Sequence, residues 1–459
     1  MATAPTGNAL TGNAHPGDTL TGEVTDLLQQ LIRNACVNDG TAASGHEDRS
    51  TDVLRTYLEG TGLDLQEYEP LPGRTSLLGR IEGSDPDAPS LMLMGHTDVV
   101  PVNPAGWSHD PHGGELEDGF VWGRGAVDML NLTASMAVAF KHLATSNWKP
   151  KGTLLFLAVA DEEAGGAHGA QWLCEHELDA MRCDYVITEA GGLPSHGPKG
   201  RTLNIMPAEK GPHWCRITVG GTPGHGSMPY RTDNAVVTAA EVVRRIASYL
   251  PRPVIDEIWR QTVDNMTIDA ELRDALLDPA RIDDALAGLP VGLARSAHAC
   301  THTTFSPNIS QGGLKTNMIP DRAIVEVDIR ALPGETIDTV RAMLADALGD
   351  LYDRVELEFI MVTPSTASPL DTPLWHTLER VSGMHYPGVK LVPSLMVATT
   401  DARFFRQIGA TAYGYGLFSE RINREDFMTM FHGHNERVDT ESLRLSTELW
   451  DGVARDLLG

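Results

Sequence analysis

Residues 153–166 read TLLFLAVADEEAGG. Seven apolar residues, Leu154–Ala160, run without a break and end in three acids, Asp161, Glu162 and Glu163. A run this short and this apolar suits a strand buried on both faces, as in a parallel sheet covered by helices. The same texture recurs in SLLGRIEG (76–83), SLMLMGH (90–96) and YVITEA (185–190). Between these lie helical stretches, LNLTASMAVAFKHLAT (130–145) and GAQWLCEHEL (169–178). The alternation predicts an α/β fold with a mixed, mostly parallel sheet covered by helices.

Outward from that core the chain divides. Residues 1–20 are rich in Gly, Ala, Thr, Asn and Pro and read as a flexible tail with too little apolar surface to offset ordering. A helix follows, carrying Val24, Leu27, Leu28, Leu31 and Ile32 at helical spacing, then a second through STDVLRTYLEG (50–60). Past residue 208 the texture becomes α+β: HWCRITVGG, RAIVEVDIRAL and VELEFIMVT read as strands, NAVVTAAEVVRRIASYL and TIDTVRAMLADALG as helices. Within it, residues 251–299 read as an insertion with weak helical signals. The expectation is one domain from residues 21–208 and 366–459, with a second, 209–365, inserted into it.

Bulk properties narrow the function. The 459 residues carry 36 Lys+Arg against 62 Asp+Glu, a formal charge of −26. Such a chain repels phosphate backbones and anionic lipid, so neither nucleic acid nor a membrane is an expected partner. The apolar runs fall far short of the roughly 20 residues of a membrane helix. Five cysteines, Cys36, Cys174, Cys183, Cys215 and Cys300, include no C-x-x-C pair. That argues against a disulfide framework or a thiolate metal site and fits a reducing cytoplasm. The first residues do not read as a signal peptide.

The chemistry-bearing residues sit at strand ends, where sites assemble in open α/β sheets. In LMLMGHTDVVP (91–101), His96 and Asp98 are two apart and point the same way in an extended chain. Alone they read as a structural hydrogen bond, or as a ligand imidazole backed by a carboxylate. In VWGRGAVDMLNLTAS (121–135), Asp128 alone reads as a helix N-cap. The pair Glu162–Glu163 reads as a solvated acidic turn, or as a ligand beside a general base, since buried adjacent carboxylates need cations or protons. Glu189 ends another strand, and FHGHNERV (431–438) adds His432 and His434. Jointly these oxygen and nitrogen donors, with no thiolate, suit a catalytic rather than a structural zinc site with two ions.

From about residue 90 to 440 these motifs, in this order, resemble the di-zinc exopeptidase and deacylase family. Its members include glutamate carboxypeptidase, succinyl-diaminopimelate desuccinylase, acetylornithine deacetylase, aminoacylase and carnosinase-type dipeptidases. The resemblance implies that His96 and Glu189 hold one zinc, Glu163 and His432 the other, and that Asp128 bridges them. His432, four residues before Glu436, fits the family spacing; His434 stays open as an alternative. Glu162 is then the general base and Asp98 lies behind His96. The peptide after Asp128 is expected to be cis. The inserted domain resembles the family's lid and dimerisation domain. GGTPGHGSMP (220–229) makes His225 an oxyanion stabiliser. Asn317 in KTNMIP and Arg330 in VDIR match residues that contact substrate, and Arg403 in TTDARFF and Gly416 in YGYG match elements holding a substrate carboxylate. For Arg330 and Arg403 a structural ion pair is the competing reading.

The implied activity is hydrolysis of an amide bond in a dipeptide, at a C-terminal residue, or in an N-acyl amino acid. Two zinc ions are expected, with cobalt or manganese as alternatives, and so is a homodimer through the inserted domain. The competing readings are an N-acyl amino acid deacylase rather than a peptidase, a non-catalytic metal-binding relative, and a carboxylate-pair glycosidase, which the histidines disfavour.

Overall fold

A computed structural model of the chain describes residues 16–459. The described chain falls into two compact units: residues up to Leu173 together with Gly416–Gly459, and Cys174–Tyr415.

In the first unit the strand Leu91–His96 runs parallel to Leu154–Val159, with His96 opposite Val159. Every residue of both strands is buried. Each fully buried Leu, Val or Phe contributes about 1.5–3 kcal/mol, so these two runs anchor the fold. Arg74–Ile81 pairs antiparallel with Leu154–Val159 on its other side and is itself capped by Leu65–Leu71. The helix Leu130–Thr145 packs against Pro16–Asn34 and Thr440–Leu458. A buried Trp450 of the last helix donates from Nε1 to Ser135 Oγ at 2.9 Å. A small antiparallel sheet joins Glu115–Glu117, Phe120–Trp122 and Arg437–Asp439.

The first helix corrects the expected tail. It spans Pro16–Asn34, so residues 16–20, read as mobile, form its opening turn. Proline suits a first helical position, where its missing N–H has no partner to lose. The expected apolar stripe from Val24 to Ile32 is buried. The remainder of the expected tail, residues 1–15, lies outside the described residues.

In the second unit Tyr185–Thr188 runs parallel to Thr411–Gly414. Gly200–Glu209 pairs parallel with Lys390–Met396 and antiparallel with Pro194–Gly197. Within the stretch 209–365 a separate four-stranded antiparallel sheet is ordered Thr304–Gly312, Arg322–Ala331, Gly211–Gly220, Val355–Val362. The helices Ala235–Ala247 and Ile337–Leu348 share a core with it, built from Val219, Val242, Ile246, Val325, Val340 and Leu344. Residues 251–299 form short helices, among them Glu257–Asp264 and Ile282–Ala287, around Trp259, Val263, Leu276 and Ile282. The unit boundaries at 173/174 and 415/416 enclose this stretch and the flanking strands as well.

Candidate metal centre

The site in the first unit begins where the strand Leu91–His96 ends. Gly95 is required there: a Cβ at this position would lie 2.4 Å from Thr133 Oγ1. That hydroxyl instead donates to the His96 carbonyl at 2.8 Å. His96 is buried, and its Nδ1 lies 2.9 Å from the Asp98 carbonyl oxygen. A carbonyl only accepts, so Nδ1 carries a proton, and Nε2 is the nitrogen left to meet a carboxylate or, in the neutral ring, a metal. Nε2 faces Asp128 Oδ1 at 3.4 Å. The imidazole is therefore oriented chiefly by the backbone of Asp98; the Asp98 carboxylate lies farther off, 3.5 Å from Nδ1.

That carboxylate has other work. It accepts the backbone N–H of Glu162 at 3.2 Å and of Glu163 at 3.0 Å, and the Asn38 side-chain amide at 2.8 Å. The two acids thus sit in a turn pinned from below. Asp161, just before them, has φ +69°, a left-handed conformation uncommon for a residue other than glycine. Glu162 brings a carboxylate oxygen within 4.8 Å of a His96 ring nitrogen.

Asp128 is not a helix cap. The N-cap of Leu130–Thr145 is Met129, and the Asp128–Met129 peptide is cis, as the family resemblance implied. The two Asp128 oxygens face different imidazoles: Oδ1 faces His96, and Oδ2 lies 3.3 Å from His432 Nε2. The same nitrogen is 3.2 Å from Glu163 Oε2. His434 is not part of this group; its ring packs over Gly106, where an added Cβ would meet it at 2.4 Å.

Charge balance follows from these contacts. Burial raises the Asp128 carboxyl, but the hydrogen bonds to His432 and His96 outweigh it and hold the group well below the usual carboxylate range. Burial and the adjacent Asp128 push Glu163 up. Hydrogen bonds to Asp128 and Glu163 raise His432 to about 10.

The donor set fits a metal. Atoms of His96, Asp128 and Glu163 all lie within 4.8 Å of one another. Two ligands about 2.0–2.1 Å from a tetrahedral ion stand about 3.3 Å apart, which matches the 3.2–3.4 Å contacts made by His96 and His432. Glu163 Oε1 is buried with no hydrogen-bond partner, a costly state that a cation relieves.

The surrounding layer was not legible as a site. Glu436, used above only to fix a spacing, is fully buried. Its carboxylate accepts from Gly125 N (3.1 Å), Val127 N (2.6 Å), Asp128 N (3.0 Å) and Arg124 (2.8 Å). It ties the His432 loop to the Asp128 loop. Glu47, Arg74, Asn38 and Asp161 form a second buried polar group. Its only sequence signal is an arginine opening an apolar strand.

The second unit holds the other candidates. Glu189 follows the strand Tyr185–Thr188 and is buried. Gly414 admits its backbone: a Cβ there would lie 2.2 Å from the Glu189 carbonyl. His225 and Asn317 are brought together on paired two-residue strands and their flank, with His225 opposite Met318. Both are exposed. His225 Nδ1 accepts the Ser227 N–H at 3.2 Å, which places the ring proton of the neutral form on Nε2. Arg330 forms an ion pair with Asp328 at 2.8 Å, the competing reading noted above. Arg403 is buried, donates to the Thr400 carbonyl, and lies over the Phe404 ring at 4.3 Å. Gly416 belongs to the first unit, where a side chain would meet Phe418 at 2.9 Å.

Comparison with known proteins agrees with this reading of the motifs. N-fatty-acyl-amino acid synthase/hydrolase PM20D1 of Xenopus tropicalis is 26% identical over 93% of this chain and 86% of its own length. Aminoacylase-1 of Sus scrofa is 26% identical over 90% of this chain and 89% of its own. Among solved structures, an M20 family metallo-carboxypeptidase of Sulfolobus solfataricus superposes with a TM-score of 0.71 at 17% identity, covering 94% of this chain and 98% of that one. YXEP of Bacillus subtilis, described as a dinuclear metal-binding peptidase from the M20 family, superposes at 0.59 and 15% identity, covering 95% and 98%. Residues 92–456 match the profile of Peptidase family M20/M25/M40, and the chain belongs to that family.

Proposed function

We propose that this chain is a two-metal hydrolase cleaving the amide bond of a dipeptide, a C-terminal residue or an N-acyl amino acid. One observation carries the reading. The two oxygens of Asp128 each face a different imidazole, His96 and His432, which is the disposition a bridging carboxylate needs. His432 and Glu163 are assigned to one ion. His96 is assigned to the other, with Glu189 as its partner by the family pattern.

Two divalent ions held there, zinc on this reading with cobalt or manganese as alternatives, would supply a Lewis acid and make water acidic enough to lose a proton near neutral pH. Glu162 then takes the proton of the attacking water and returns it to the leaving amine. Asp98 holds Glu162 in place through its backbone N–H. His225, with its proton on Nε2, is suited to donate to the oxyanion. Asn317, Arg330, Arg403 and Gly416 are assigned to substrate, and residues 209–365 to a lid and dimerisation domain. Exposed Val236 and Val237 on one of its helices support a self-association surface. The cysteines are all free thiols, and a cytoplasmic location is proposed on that basis; no helix among the described residues is long and apolar enough to cross a membrane.

The second reading, deacylase rather than peptidase, is favoured by the two sequence relatives above, both named for N-acyl amino acid chemistry. A panel of dipeptides and N-acyl amino acids tests both, run with Glu162→Ala. The expected result is turnover by wild type on one class and a loss of at least about 100-fold in the variant, with its metal retained. Equal turnover by the variant would refute the assigned base.

A further inference from the structure

Beneath the Glu162–Glu163 turn lies a buried polar chain whose central residue, Asn38, precedes the residues matched to the family and has no assigned role. Asn38 is 3% exposed and stands at its centre. Its Nδ2 donates to two carboxylates, Asp98 Oδ2 at 2.8 Å and Asp161 Oδ1 at 3.1 Å. Its Oδ1 accepts from Arg74 at 3.0 Å and from Gly40 N at 3.0 Å. The amide has one workable orientation. Arg74 offers only donors and the two carboxylates, when ionised, offer only acceptors, so a flip would oppose like groups on both sides. Arg74 is held in turn by Glu47 at 2.6 Å. The Asn38 backbone is fixed too, donating to the Val99 carbonyl at 2.9 Å, one residue past Asp98.

Each carboxylate that Asn38 joins holds one part of the site. Asp98 takes the N–H groups of Glu162 and Glu163. Asp161 precedes them and closes the other end of the turn by accepting His168 N at 2.8 Å. Two buried carboxylates placed this close repel, and the donor between them is what keeps them together. We infer that Asn38 is a positioning residue, locking the turn that carries Glu162 and Glu163 onto the segment that carries His96. The inference rests on the hydrolase reading above.

The test compares wild type with Asn38→Ala and Asn38→Asp. The second is isosteric, keeps the acceptor toward Arg74, and replaces the shared donor with a third acceptor. For each, kcat, KM, thermal melting and zinc affinity by chelator competition are measured. The expected outcome is a fall of about 10–100-fold in kcat and in zinc affinity, with KM nearly unchanged. Asn38→Asp should be no better than Asn38→Ala. Should Asn38→Ala fail to fold, Asn38→Ser, which keeps a short donor, is read in its place. A residue that merely fills space would lower the melting temperature and leave kcat and zinc affinity of the folded protein alone, and that result would overturn the inference. Wild type that binds no zinc and turns over no substrate would instead sink the hydrolase reading.

Discussion

The Asp98 carboxylate accepts the backbone N–H of Glu163 at 3.0 Å, so one acid fixes another through its main chain. The family resemblance implies a place for Asp98 behind His96. The folded chain also places it under the Glu162–Glu163 turn. Asp98→Ala removes the acceptor for two N–H groups and is expected to cost about 10–100-fold in kcat. Asp98→Asn keeps one oxygen and should fall between. Steady-state kinetics on metal-loaded protein checks this; wild-type kcat in Asp98→Ala would contradict it.

Glu436 serves as the equivalent anchor for Asp128. It accepts from Arg124 and from three backbone N–H groups in a fully buried place. Glu436→Ala leaves the buried Arg124 charge uncompensated, and removing one partner of such a pair costs about 3–5 kcal/mol. Urea unfolding reads it directly. A loss below about 1 kcal/mol would place Glu436 among surface ion pairs instead.

The two histidines of the 431–438 segment separate cleanly. His432→Ala removes the nitrogen that lies between Asp128 and Glu163. It should lower bound metal by about one equivalent per chain, with activity falling alongside. His434→Ala touches a ring that packs over Gly106 and should keep full metal content. Elemental analysis after dialysis distinguishes them, and the reverse pattern would move the ligand to His434.

Lys210, in the second unit, gives stability a pH dependence of its own. It is fully buried and donates to the Ala299 and His302 carbonyls at 3.0 and 2.7 Å. Burial lowers its pKa from 10.5 to about 8. Between those values the unfolded chain holds a proton that the folded chain has released, so stability rises with pH. Below about 8 the cost of the buried charge is present in full. Relative to Lys210→Met, wild type should therefore gain stability from about pH 8 to 10.5. Melting curves across that range check the sign; a flat difference would contradict it.

Legibility tracked the kind of physics involved. The strands Leu91–His96 and Leu154–Val159 were readable because unbroken apolar runs have few other uses. Gly200–Glu209 and Lys390–Met396 were not, because Pro207 and Pro393 interrupt them, and proline within a run argues against a strand. Ligand candidates were readable from His and acid residues at strand ends. Asn38, Arg74 and Glu47 were not, since burial of a polar side chain depends on distant partners that one sequence does not reveal. Asp128 shows the gap from the other side: its local sequence is that of a helix cap, and only its two imidazole neighbours say otherwise.

On the proposed reading, His96, Asp128, Glu163 and His432 enclose divalent cations. The most direct measurement is the number of zinc ions bound per chain, by equilibrium titration of metal-stripped wild type and Asp128→Ala. Wild type should bind two, and the variant should lose or greatly weaken both, because each imidazole loses the carboxylate between them. Wild type that takes up none, or Asp128→Ala that binds two as tightly, would contradict the account.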